Sequence, residues 1–129
     1  SFEVSVEPES IKVRVDPSQL HQVVWNLCEN GLNHGSRAPH IELRARISGS
    51  TERPYLDIRD NGDGIPEDEV EQIFEPFFTT RDDGSGLGLY IARELCEGNK
   101  AALNLVPVDD GACFRISFSD PRREGVVSA

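Results

Sequence analysis

The pattern of apolar and polar positions divides the chain into short alternating stretches and two longer stretches of helical period. Residues 2–6 and 11–15 each alternate apolar and polar side chains around a Glu7-Pro8-Glu9-Ser10 interruption, which predicts two short strands with a turn between them. Asp16-Pro17-Ser18-Gln19 then carries the marks of a helix start. Asp16 can cap, Pro17 sits where its missing N–H costs nothing, and Gln19 can close a capping box. A helix is predicted over residues 17–33, with Leu20, Val23, Val24, Leu27 and Gly31 toward the core. Residues 40–48 alternate strictly, Ile41, Leu43, Ala45 and Ile47 against Glu42, Arg44 and Arg46, as in a strand with one wet face. The next strand, over residues 55–59, turns Leu56 and Ile58 inward and delivers Asp60 to the end of the sheet.

A short acidic helix is expected over residues 67–73. A second long helix, over residues 87–98, has Leu87, Tyr90, Ile91 and Leu95, with Glu94 beside them, at the spacing of one buried face, and Gly98 closes it. Residues 102–107 and 112–118 read as a hairpin across Asp109-Asp110-Gly111. The order β-β-α-β-β-α-α-β-β predicts an α/β (α+β) two-layer sandwich, its sheet mixed but mostly antiparallel and covered on one face by three helices. Residues 1–120 form the expected domain, and 121–129 a loose C-terminal tail.

Composition narrows the function. At 129 residues with a formal net charge of −10, the chain lacks the basic stripe that a nucleic-acid binder needs, so no nucleic-acid partner is expected. No apolar run is long enough to insert in a membrane. Cys28, Cys96 and Cys113 are odd in number and widely spaced, which reads as reduced core residues of a cytoplasmic protein rather than disulfide or zinc ligands.

Three stretches carry candidate chemistry. Gln22, Asn26, Asn30 and Asn33 fall within a stripe of about 80° on the first helix, bordered by Glu29. The stripe is either a solvated face or an amide-lined one; Asn is a mediocre helix former, and an amide oxygen is a neutral hard ligand suited to Mg²⁺. Asp60-Asn61-Gly62-Asp63-Gly64-Ile65 follows a strand. It reads as a plain turn or as a base-binding one, in which the carboxylate accepts a hydrogen bond from an adenine amino group and Gly62 and Gly64 let a flat ring approach. Gly84-Ser85-Gly86-Leu87-Gly88-Leu89 opens a helix, either as a loop or as an anion site made by first-turn N–H groups and the helix dipole. It matches neither the dinucleotide-binding fingerprint nor a Walker loop. Between the two turns, Phe74-Glu75-Pro76-Phe77-Phe78-Thr79-Thr80 concentrates three of the six phenylalanines, as a packed hinge or as a ligand contact. Residues 79–85 would be a short lid, with Arg81 the cation placed to meet phosphate.

In this order the segments resemble the catalytic, ATP-binding domain of sensor histidine kinases, in the GHKL superfamily with its Bergerat-type fold, over residues 11–118. Residues 22–31 are similar to that family's N box, 60–65 to its G1 box, 74–80 to its F box and 84–89 to its G2 box. The resemblance implies that Asn30 ligates Mg²⁺ and that Asn26 assists the metal or the phosphates. It implies that Asp60 binds the adenine amino group, that Gly62 and Gly64 line the base, and that Ile65 belongs to the same nucleotide site. Gly86, Leu87 and Gly88 would offer N–H groups to phosphate. Asn33, Phe77, Thr79, Thr80, Arg81, Gly84, Ser85 and Leu89 complete the expected nucleotide site. ATP and Mg²⁺ are the implied cofactors. The implied partners are a dimerisation and phosphoacceptor helical domain of the same full-length kinase and a response regulator. The short lid resembles kinases that serve nitrogen- or pilus-type regulators.

Three departures stand beside the resemblance. Asn33 and His34 occupy positions where the family often has Lys and Tyr, and Asn99-Lys100-Ala101 replaces its His-Gly-Gly. His21, His34 and His40 lack the helical context of a phosphoacceptor. The alternatives are an ATP hydrolase of the same superfamily, with Glu29 as the residue to watch, and a nucleotide-blind binding module.

Overall fold

A computed structural model of the chain describes residues 2–32, 38–78 and 86–119. Its elements are β1 (Phe2–Val6), α1 (Pro17–Leu32), β2 (Ile41–Ile47), β3 (Pro54–Asp60), α2 (Gly88–Gly98), β4 (Ala102–Val106) and β5 (Cys113–Ser117). They build one five-stranded sheet in the order β1-β2-β3-β5-β4. Only β1 and β2 pair in parallel, with α1 in the crossover between them; the other three pairings are antiparallel. The expected tail over 121–129 lies outside the described residues.

Both helices contribute to the same core. Val23, Leu27 and Cys28 of α1 and Ala92 and Cys96 of α2 cluster with Ile41, Ile58, Leu103, Phe114 and Ile116 of the sheet. The register places Ile41, Leu43 and Ala45 opposite Asp60, Ile58 and Leu56, so alternate residues of β2 and β3 share the helix-covered side. On the opposite side, Arg115 makes a bidentate pair with Asp57, at 2.7 and 2.9 Å, and lies 4.2 Å over the Tyr55 ring. The three thiols are free and buried, and burial pushes Cys96 and Cys113 up to about 11, so they behave as small core groups.

The expected third helix is a single 3₁₀ turn at Glu67–Glu69. Residues 11–15 form no strand, although their alternation does report burial. Val13 and Val15 pack against the core, but β1 already pairs with β2, and the segment lies over the core without joining a ladder. The face of α2 also differs from expectation. Ile91 and Glu94 are exposed, while Leu89, Ala92, Leu95 and Cys96 turn inward, with Ala92 fully buried.

The start of α1 and the end of α2 are tied by one side chain. Asp16 Oδ1 accepts from the N–H of Ser18 and of Gln19 at 2.9 and 3.1 Å, and from the Ser18 hydroxyl at 2.7 Å. The Ser18 hydroxyl and the Gln19 N–H hold its carboxyl below the usual carboxylate range. The Gln19 side chain does not close a capping box. Instead Asn99 Oδ1 accepts from the Asp16 N–H at 2.8 Å, while Asn99 Nδ2 donates to Gln19 Oε1 at 2.7 Å and to the Leu95 carbonyl at 2.8 Å. Asn99 therefore does the work of a cap for both helices, and Lys100 after it takes the left-handed turn at φ +60°. Asn99→Ala removes all three bonds and is expected to cost about 1–3 kcal/mol. The check is a lower urea midpoint with an unchanged m-value.

Candidate nucleotide site

Asp60 is the one buried charged side chain among the described residues, at 7% exposure, and three separate segments press on it. Its own turn supplies the first, since the Gly62 N–H donates to Asp60 Oδ1 at 2.8 Å. The β4–β5 connection supplies the second. The Ala112 N–H donates to the same oxygen at 3.3 Å, and the Asp60 N–H donates to the Ala112 carbonyl at 2.9 Å. A Cβ on Gly111, which has φ +69°, would fall on the Asp60 carbonyl; one on Gly64 would lie 3.0 Å from the Gly111 oxygen. Helix α1 is the third segment. A Cβ on Gly31 would stand 2.9 Å from Asp60 Cβ, 3.3 Å from Asp60 Oδ2 and 2.7 Å from Ile41 Cδ1. The helix rests directly on the carboxylate at that point, and its next residue back is half-buried Asn30.

The other glycine turn meets the same helix. Asn26 Nδ2 donates to the Gly88 carbonyl, in the first turn of α2, at 3.1 Å, and Gln22 Nε2 donates to Asn26 Oδ1 at 2.7 Å. No side chain caps α2 at Leu87. Asn61 secures the far side of the first glycine turn: its Nδ2 donates to the Ala38 carbonyl at 3.0 Å and its Oδ1 accepts from the His40 N–H at 2.9 Å.

The proline-aromatic elbow is anchored by some of its rings and exposes another. Phe74 meets Phe114 edge-on at 6.0 Å between centroids and carries the Arg93 guanidinium 4.6 Å over its face. Phe78 packs against the core, whereas Phe77 is 73% exposed with φ +68°. Its N–H donates to the Gly86 carbonyl at 2.8 Å, and a Cβ on Gly86 would come 2.7 Å from Phe77 Cα. The elbow and the second glycine turn are thus joined backbone to backbone.

Of the expected site residues, Asn26, Asn30, Asp60, Gly62, Gly64, Ile65, Phe77, Gly86, Leu87, Gly88 and Leu89 are described. They lie on α1, on the two glycine turns and on the elbow, and the contacts above link these segments into one group. Ile65 and Leu89 pack against the core beneath the turns, and Glu29 is exposed on α1. Asn33, Thr79, Thr80, Arg81, Gly84 and Ser85 lie outside the described residues. Sequence reasoning missed Gly111 and Ala112 as part of this group, and it placed Gly31 in the core without its partner Asp60. Among the described residues no cluster of three or more His, Cys, Asp or Glu could hold a metal ion. Asn30, half-buried on α1, carries a neutral side-chain oxygen of the kind that can complete a Mg²⁺ shell made mainly of phosphate and water oxygens.

Residues 15–122 match the family described as Histidine kinase-, DNA gyrase B-, and HSP90-like ATPase, and the chain belongs to that family. Sensor protein kinase PilS of Pseudomonas aeruginosa is 43% identical over 117 residues, covering 88% of this chain and 22% of that protein. The catalytic domain of histidine kinase ThkA superposes with a TM-score of 0.79 at 27% identity, covering 91% of this chain and 76% of that one. In complex with response regulator protein TrrA, ThkA matches with a TM-score of 0.74 at 25% identity, over 91% of this chain and 33% of ThkA. Mycobacterial sensor histidine kinase MprB matches with a TM-score of 0.79 at 29% identity, covering 91% and 81% of the two chains. The chain spans about a fifth of the length of the curated relatives it matches. Among the described residues no helix is long and apolar enough to cross a membrane.

Proposed function

We propose that this domain binds Mg-ATP and transfers the γ-phosphate to a histidine on a separate helical dimerisation domain, which hands it to a response regulator. One observation carries the reading. A single helix touches both glycine turns, through Gly31 against Asp60 and through Asn26 on the Gly88 carbonyl. A nucleotide laid along α1 has its base at the Asp60 end and its phosphates at the start of α2.

Asp60 Oδ1 already serves two main-chain donors, so Oδ2 is the oxygen that would take the adenine amino group. The first-turn N–H groups of α2 would face the phosphates, with the helix dipole aiding them. Asn30 would give its side-chain oxygen to Mg²⁺, which when bound neutralises phosphate charge and orients the γ-phosphate. In the transfer, the acceptor histidine nitrogen forms a bond to the γ-phosphorus, the bond to the β,γ-bridging oxygen breaks, and ADP leaves. Catalysis of this kind is mainly positioning and charge neutralisation, with little acid-base chemistry from this chain. The same reading puts the domain in the cytoplasm, where it would meet ATP and a response regulator.

The test is to mix the chain and labelled ATP with the helical acceptor domain of the same kinase and look for acid-labile phosphate. Absence of label on an intact acceptor overturns the reading. For the metal, Asn30→Ala is expected to weaken Mg-ATP binding tenfold or more, about 1.4 kcal/mol, and to leave metal-free ATP binding unchanged. Titration calorimetry with and without Mg²⁺ measures both.

A further inference from the structure

We infer that Gln22, one turn before Asn26 on α1, is a positioning residue for the phosphate end of the site. The inference rests on the nucleotide-binding reading above. Its starting point is a carbonyl: the Gly88 oxygen can only accept, so the Asn26 group 3.1 Å from it must be the NH₂. That choice turns Asn26 Oδ1 the other way, where Gln22 Nε2 meets it at 2.7 Å. The two amides form a polarised relay running Gln22 → Asn26 → Gly88, with every donor facing an acceptor.

The relay matters because of where it ends. Gly88 is the first residue of α2, and among the described residues no side chain caps that end of the helix at Leu87. A second tie between the two helices lies at the far end of α2, through Asn99. Asn26 therefore helps to hold the first turn of α2, together with the Phe77 N–H on the Gly86 carbonyl and Leu89 in the core, and Gln22 fixes which way round Asn26 sits. Gln22 is exposed and lies outside the core cluster, so its replacement leaves the core packing intact.

Donor and acceptor chemistry makes the inference testable. Gln22→Lys keeps a donor toward Asn26, whereas Gln22→Glu offers acceptors only and favours the flipped amide, which sets Asn26 oxygen against the Gly88 carbonyl. In ¹⁵N spectra of the nucleotide-free domain, the Asn26 NH₂ should be shifted and slow to exchange in wild type and Gln22→Lys. In Gln22→Glu it should lose that protection. In the same three proteins, Mg-ADP affinity should fall about tenfold in Gln22→Glu and be retained in Gln22→Lys. Adenosine binding should be equal in all three. Unchanged Asn26 exchange in Gln22→Glu overturns the relay, and unchanged Mg-ADP affinity alongside lost protection overturns the positioning role. Wild-type protein that binds neither adenosine nor Mg-ADP overturns the functional reading, and the spectra then still decide the relay.

Discussion

Asp60→Asn is expected to keep its fold and lose adenine-nucleotide affinity tenfold or more, about 1.4 kcal/mol at minimum. The replacement is nearly isosteric, and an asparagine oxygen can still accept from the Gly62 and Ala112 N–H groups that now meet Oδ1. Those two bonds fix the orientation of the new amide. Its NH₂ must then take the place of Oδ2, where it confronts the adenine amino group donor to donor. The urea midpoint should move little, while calorimetric titration with Mg-ADP should show the loss. Equal affinity in the variant and the parent would remove Asp60 from the base site.

Gly111→Ala should have the largest effect on stability, although Gly111 lies in a surface turn. Its φ of +69° is strained for any residue with a Cβ, and the added carbon would fall on the Asp60 main chain, 2.8 Å from the carbonyl carbon and 3.1 Å from Oδ1. Main chain cannot rotate aside as a side chain can. Backbone strain and overpacking together are expected to cost about 3 kcal/mol, a large share of the roughly 5–15 kcal/mol that holds a domain together. Gly98→Ala is the matched control, since a Cβ there meets nothing within 4 Å. Urea unfolding of the two variants side by side checks the contrast; equal midpoints would show that the turn yields.

The strands and helices that bear the site were legible because each carries its own local signal. Asp16 and Pro17 mark where α1 begins, the alternation of residues 40–48 marks β2, and Gly98 marks the end of α2. Long-range placement was less accessible. Alternation in residues 11–15 reports one-sided burial, and the same pattern serves a strand or an extended segment lying on a core. On α2, Leu87, Tyr90, Ile91 and Leu95 outweigh Ala92 in a hydrophobic reading, yet Ala92 is fully buried while Ile91 is exposed. The turn at Asp109-Asp110-Gly111 was plain in the sequence, but nothing near it says that it lands on a carboxylate 52 residues earlier in the chain. That placement comes from the antiparallel pairing of β3 with β5, which only the assembled sheet specifies. Gln22 and Asn26 were legible as one amide stripe, while the direction of their hydrogen bonds depends on the Gly88 carbonyl of another helix.

The wall behind Asp60 has a consequence for how the protein comes off the ribosome. Its parts are numbered 31, 60, 64 and 111, so a nascent chain that has emerged only as far as α2 possesses the carboxylate and both glycine turns but lacks the backing that aims them. Such a fragment has both glycine turns without their backing, so, on the proposed reading, nucleotide would reward only a chain whose β4–β5 hairpin has already been synthesised and paired.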